Sequence, residues 1–390
     1  MARNRLIGYI TLWFLIVPLP VKAQIPGSSI IIGELDGRFD YRNAETLLTA
    51  NIHPLARFVG PRAVHLVKES PGEIVFEYEN PKPHQPKTVI IRLFPSELAL
   101  MTAIIIDEVD FAITESPTIA NDIHKSNPAI RVLFQLNPPN YVKMIAYNNQ
   151  NFIFKSLNVR QALSHAINKS NIINSLLNKQ ATKTSGPIDR NSKYYDSGFK
   201  DFDYAPRDAL KLLHIDGWND DDKDGILEKN NQELSFTLGY ERGNLLDEQI
   251  VRMVKVDWNK IGIDVAIRPL PRLELQKNMQ SVNYDAIITD MQLVETIENL
   301  RFYWGSQDRT NMFNFQNVTV DHYLSLAPRA DEKTRSKLIQ GIINTVIQEQ
   351  PASYLFFLWL DWYFVNSSRF EQFVDEKGEL RPFDEWIVKR

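Results

Sequence analysis

Two stretches of this sequence read as strand, helix, strand with short links. In the first, Thr88 to Phe94 (TVIIRLF) is an apolar strand, Ser96 to Ile104 a helix, and Val109 to Ile113 a second strand. In the other, Leu234 to Tyr240 alternates as a strand and Ile263 to Ile267 closes the unit. Between them Ile250, Val251, Val254, Trp258 and Ile261 make one apolar stripe on a helix from Leu245 to Ile261. Such units force neighbouring strands toward parallel pairing, with helices packed on the sheet faces. An α/β fold with mixed and parallel sheets follows, and 390 residues suit two lobes better than one.

Further elements fit the same frame. Ser29 to Gly33 reads as a buried strand, and Ala63 to Val67 and Glu73 to Tyr78 as two strands joined around Ser70-Pro71-Gly72. Residues 35 to 60 carry no clear period. Val132 to Leu136 and Val142 to Tyr147 are strands, followed by a helix pair from Ser156 to Leu177. Val159, Ala162, Leu163, Ala166 and Ile167 form the stripe of its first member, with Asn158 and Gln161 placed as a capping box and Ser170 as the cap of the second. A helix through Leu213 starts at Pro206, one runs from Arg272 to about Met279, Tyr284 to Thr289 is a strand, and Thr334 to Gln350 is a helix stopped by Pro351. Tyr354 to Val365 (YLFFLWLDWYFV) is too short for a membrane span and reads as a buried strand or strand pair.

The N-terminus carries an address. Arg3 and Arg5 precede an apolar run from Leu6 to Val17, and Val21-Lys22-Ala23 offers small residues for cleavage before Gln24. Pro18 and Pro20 end that run well short of the roughly 20 residues of a spanning helix. A cleavable signal peptide over residues 1–23 and a periplasmic destination are expected.

Chemistry is constrained mostly by what is missing. The chain has no cysteine, which excludes disulfides and thiol chemistry, and a net charge of −4 argues against a nucleic-acid partner. Its seven histidines show no paired metal-ligand spacing, and there is no GxSxG, GxGxxG or phosphate-loop motif. His165, beside an apolar stripe, reads as structural. Asp220, Asp222, Asp224 and Gly225 match the first half of a calcium loop, but the twelfth position is Asn231, so a solvated turn is the reading. No enzyme activity, cofactor or metal is expected.

The wording of the helix pair is more specific than its pattern. VRQALSHAINKSNI closely resembles the "VRQAL-x-x-AI-(D/N)-(K/R)-x-x-I" signature of the family 5 extracellular solute-binding proteins, which serve peptide, nickel and oligosaccharide ABC importers. Tyr204-Ala205-Pro206 through Gly217-Trp218 resembles that family's "Y-D-P-x-x-A-x-x-L-L-x-x-A-G-W" run. Phe58 to Arg62, Glu79-Asn80-Pro81, Ala99 to Ala112 (with Asp107 where a glycine is usual), Ser185 to Ile188 and Ser367 to Phe370 resemble further family pieces.

The resemblance implies a two-lobed, type II periplasmic-binding-protein (Venus-flytrap) fold: residues 24–138 with 351–390 as one lobe and 139–350 as the other. It implies capture of a peptide or small-molecule ligand by cleft closure, docking of a monomer on ABC permease membrane subunits, and no nucleic-acid partner. In peptide-binding members an acidic residue after a strand of the second lobe pairs with the ligand's amino terminus. Here Asp290 or Glu295 would hold that role, with Arg301, Tyr303 and Trp304 beside it and Asn148 at the end of the crossing strand. The family's inserted middle lobe has no counterpart between Leu35 and Phe58. An alternative is therefore an accessory or sensory interaction protein that keeps the fold without ligand capture.

Overall fold

A computed structural model describes residues 29–35, 58, 64–114, 117–136, 141–196, 198, 201–292, 296–358 and 360–389. The expected signal peptide and most of the stretch between 35 and 63 lie outside these residues.

The first sheet has seven strands. They are β1 (Ser29–Leu35), β2 (Val64–Ser70), β3 (Glu73–Tyr78), β4 (Thr88–Phe94), β5 (Phe111–Thr114), β6 (Ile130–Leu136) and one that returns late in the chain. β1 lies between β4 and β5, parallel to both, so the strand–helix–strand unit read from the sequence opens to admit the first strand. Helices α1 (Glu97–Ile105) and α2 (Pro117–Ser126) make the crossovers. Side chains alternate as strands demand: Ile30, Ile32, Ile91 and Phe111 enter one core with Trp386, while Ala112 and Phe364 meet α1 and α2 on the other face.

The second sheet begins with β7 (Tyr141–Tyr147), and its order places β7 near the middle. Val142, Met144 and Ala146 face one core while Ile145 and Tyr147 face another, which is why this strand reads as continuously apolar. The helix pair follows as α3 (Leu157–Ala166) and α4 (Lys169–Leu176), then β8 (Ala181–Lys183) and α5 (Pro206–Ile215). After the short hairpin of β9 (Glu228–Lys229) and β10 (Gln232–Glu233) come β11 (Ser235–Glu241), α6 (Leu245–Asn259), β12 (Asp264–Leu270), α7 (Arg272–Gln280) and β13 (Ala286–Gln292). β11 is parallel to β12 and β13, as the second strand–helix–strand unit requires. Helices α8 (Ile297–Trp304), α9 (Val318–Leu326) and α10 (Glu332–Glu349) cover the face opposite α3 to α6.

Tyr354 to Val365 is indeed two strands, and they belong to different sheets. β14 (Ala352–Leu358) pairs with β7 and β8 in the second sheet, whereas β15 (Leu360–Asn366) pairs with β5 and β6 in the first. β14 therefore continues the second sheet past the 350/351 boundary expected from the sequence. The chain thus crosses between sheets twice, from β6 to β7 and from β14 to β15. The short strands β16 (Phe370–Glu371) and β17 (Ile387–Val388) finish the first lobe, and Arg369 ties them back, its Nη1 lying 2.6 Å from both carboxylate oxygens of buried Asp110.

Local corrections have clear causes. Helix α3 starts two residues earlier than Asn158 suggests, with Ser156 at the cap position and its hydroxyl bonded to Asp216. Gln161 reaches Gln348 rather than closing a capping box. Asn168, not Ser170, caps α4, accepting the Asn171 N–H at 3.0 Å. Arg160 of the signature is buried and donates to the carbonyls of Phe154, Lys155 and Glu349 and to the Glu349 carboxylate, so it welds α3 to the end of α10. Asp107 adopts φ +62°, the left-handed backbone that glycine favours, and its carboxylate takes amide bonds from Asn127 and Asn366.

Candidate functional site

Strand registers show which ends face the crossings. Tyr141 at the start of β7 pairs with Gln292 at the end of β13, so the carboxyl ends of β11 and β13 point toward the first lobe. That end is where open α/β sheets hold ligands. Lys143 and Asp290 are register partners there.

Lys143 is 1% exposed in the middle of an apolar strand. Its Nζ lies 2.8 Å from Asp290 Oδ2 and 2.9 Å from Asp247 Oδ1. Asp247 sits in the first turn of α6, where its own N–H is capped by Asn244 and its second oxygen accepts the Asn244 amide. A buried ammonium without partners would cost several kcal/mol, so the two carboxylates are what allow this lysine to stay in the strand. Burial pushes the Asp247 carboxyl upward, against the downward pull of Lys143. One ammonium is shared between two carboxylates. Asp247 is enclosed and Asp290 is 39% exposed, so Asp290 is the carboxylate of the two that faces solvent. Glu241 and Arg272 form a second ion pair at 3.0 Å at the ends of β11 and the start of α7.

The other candidates scatter. Asn148 lies at the opposite end of the sheet from Asp290, with its amide on the Val282 carbonyl and its oxygen accepting from Gln150 and Asn314. It lines a separate polar cavity of about 390 Å³ along α7, with Arg268, Glu274, Asn278, Asn283 and Asp285. Arg301 donates to the Leu324 carbonyl and so joins α8 to α9. Tyr303 is half-buried, its hydroxyl on the backbone of Gln292, and burial pushes its phenol upward. Trp304 is fully buried and stacked on Phe313 at 4.6 Å, so it is a core residue rather than a cleft wall. Its position in α8 explains this: Leu300 and Trp304 are one turn apart on the apolar face. Glu295 lies outside the described residues.

Two other polar groups singled out in the sequence lie elsewhere in the second lobe. His165 is half-buried against Phe202 and bonded to the Asp203 carbonyl, a structural role. In the acidic turn the carboxylates of Asp220, Asp222 and Asp224 converge within 4.8 Å, joined by Glu228 rather than by Asn231. All four are exposed or partly exposed.

Residues 63–314, well over half the chain, match the family described as bacterial extracellular solute-binding proteins, family 5 Middle. The chain belongs to this family. The matched region carries Lys143, Asp247 and Asp290 as well as the helix-pair signature. Among curated relatives, the oligopeptide-binding protein AppA of Bacillus subtilis is 29% identical over 220 residues, 55% of this chain and 40% of AppA. The nickel-binding periplasmic protein of Escherichia coli is 30% identical over 141 residues, 36% of this chain and 26% of that protein. The chain thus spans less than half the length of these relatives. The solved structure of Bacillus subtilis AppA, in complex with a nonapeptide, superposes with a TM-score of 0.70 at 22% identity, covering 85% of this chain and 66% of that one. The Helicobacter pylori periplasmic binding protein DppA, in complex with the peptide STSA, gives 0.65 at 17% identity over 90% and 68% of the two chains. The fold is that of the type II periplasmic binding proteins.

Proposed function

We propose that this protein is the substrate-binding component of an ABC importer for peptides or related small solutes. It is exported by a cleaved signal peptide, works as a monomer in the periplasm, and presents its closed, liganded form to permease membrane subunits. It binds and releases its ligand without catalysis. The observation that carries this reading is the Asp247–Lys143–Asp290 arrangement at the lobe-facing end of the second sheet. It presents a carboxylate, Asp290, on a side chain fixed by its neighbour and open on one side. A ligand ammonium placed there makes a charge-assisted hydrogen bond, and the fixed geometry lowers the ordering cost of binding. The family membership and the peptide complexes of proteins with the same fold support a peptide as the ligand.

The test is thermal stabilisation of the purified protein across di- to oligopeptides, sugars and metal chelates. A ligand at about a hundred times its Kd adds ~2.7 kcal/mol, enough to raise Tm by about 3 °C. Stabilisation by peptides with a free amino terminus is the expected result. No response to any class contradicts the proposal.

A further inference from the structure

Besides the two strand crossings, the lobes meet at a third place, and it is built from the ends of two helices. Glu97, the first residue of α1 in the first lobe, is 7% exposed. Its Oε2 accepts the N–H of Leu245, the first residue of α6 in the second lobe, at 2.9 Å. Its Oε1 accepts the Thr114 hydroxyl at 3.1 Å, and its own N–H donates to the Gly243 carbonyl at 3.2 Å. Gly243 has φ +89°, and a Cβ there would stand 2.8 Å from Ser96 Cβ. The Leu245 side chain packs into the α1/α2 core of the first lobe.

The first N–H groups of a helix have no partner within it and favour a negative charge. For α6 the sequence supplies one cap from its own lobe, Asn244 on the Asp247 N–H, and a second from the other lobe, Glu97 on the Leu245 N–H. Two residues beyond Leu245, Asp247 holds Lys143, which holds Asp290. When the lobes part, the cross-lobe cap is lost and both of its partners return to water. The contact therefore weights this arrangement of the lobes over any in which they are further apart.

We propose that Glu97 is a cross-lobe helix cap that holds the lobes together, and through α6 a positioning residue for capture at Asp290. The effect on ligand rests on the binding reading above; the effect on lobe separation does not. A ligand that needs the closed state binds more weakly in proportion to the loss of that state.

The chain has no cysteine, so labels can be placed at will. Lys125→Cys on α2 and Lys277→Cys on α7 put spin labels on exposed positions of the two lobes. Distance distributions are then compared for otherwise native protein, Glu97→Ala, Glu97→Gln and Gly243→Ala. Loss of one charge-assisted hydrogen bond shifts the closed-to-open ratio about tenfold. A longer or broader distribution is expected for Glu97→Ala and, by a steric route, for Gly243→Ala. Glu97→Gln keeps an acceptor for the Leu245 N–H and should restore most of the short distance. Unchanged distributions in both Glu97→Ala and Gly243→Ala, with native circular dichroism, overturn the proposal. So does equal opening by Ala and Gln at 97, which would assign the residue a packing role alone. Trileucine supplies the second reading: its dissociation rate should rise about tenfold in Glu97→Ala and much less in Glu97→Gln. An unchanged dissociation rate in a protein whose lobes do separate overturns the positioning half. Absence of trileucine binding to the native protein would count against a peptide ligand, while the distances still decide the cap.

Discussion

Lys143 and Asp290 face each other across adjacent antiparallel strands, Nζ to Oδ2 at 2.8 Å, with Asp247 completing the lysine's enclosure from α6. The strand is buried and the lysine with it, so the ion pair is a condition of the sheet as well as a feature of the site. Breaking a buried pair costs more than forming it contributes, because one charge is left alone. Lys143→Met should destabilise the protein by about 3–5 kcal/mol, measured by denaturant unfolding. Lys143→Met combined with Asp247→Leu should recover much of that loss. A double variant as unstable as the sum of the singles would show that the pair is not the unit of stability here.

Arg160 is the arginine of the helix-pair signature, and its role in this chain is architectural. It is 5% exposed and donates to three carbonyls and one carboxylate from two segments, residues 154–155 and Glu349. Arg160→Met keeps the apolar stem and orphans those acceptors, so a loss of about 3–5 kcal/mol is expected. Binding at Asp290, in a variant that still folds, should be little changed. A variant of native stability would remove the explanation offered for the signature.

Lys169 follows the α4 cap, fully enclosed, with its Nζ on the Thr184 carbonyl at 2.8 Å. Burial pulls its ammonium down to about 7, against 10.5 in the unfolded chain. Between those values the unfolded state binds more protons than the folded one, so this group makes stability rise with pH from about 7 toward 10.5. The native protein should gain on Lys169→Met by up to about 1.4 kcal/mol per pH unit over that window. Unfolding curves of both proteins from pH 6.5 to 9.5 give the difference. A flat difference would mean that the lysine is charged throughout.

Val282 ends α7 in a left-handed conformation, φ +50°, a place that glycine usually fills. The Asn283 N–H returns to the Asn278 carbonyl at 2.9 Å, which fixes that backbone for a β-branched residue that resists it. Val282→Gly relieves about 1–2 kcal/mol of backbone strain and gives back about 0.4–1 kcal/mol through the unfolded chain. A small net stabilisation, under ~1 kcal/mol, is expected by thermal melting, while Val282→Ala should gain less. Destabilisation by glycine would show that the valine side chain contributes packing that outweighs the strain.

Much of the architecture was legible because apolar period and turn residues act locally. The stripe of Ile250, Val251, Val254 and Trp258 settles α6 whatever surrounds it, and all four are buried. What the sequence could not supply is where long-range neighbours fall. β1 enters between β4 and β5, and β14 stays with the second sheet, because pairing is decided across the whole chain. Helix caps slipped for the same reason: Ser156 is used because Asp216 is there to meet it.

The site was read less well. Asp290 stands at the lobe-facing end, within β13 rather than after the strand, while Trp304 belongs to the core and Asn148 to the far end of the sheet. Sequence reasoning missed Lys143, although a lysine inside YVKMIAY is a signal: a charge at an otherwise buried strand position requires partners. It also missed Asp247 and Glu97, whose partners lie about a hundred or more residues away and leave no local trace.

The most direct test of the account is calorimetric titration with one peptide in two forms, amino terminus free and acetylated, against native protein and Asp290→Asn. If Asp290 holds the open negative charge of the site, the free peptide should bind native protein at least tenfold more tightly than the acetylated one, and Asp290→Asn should abolish that preference. Equal affinity for the two forms, or a preference that survives Asp290→Asn, would contradict it.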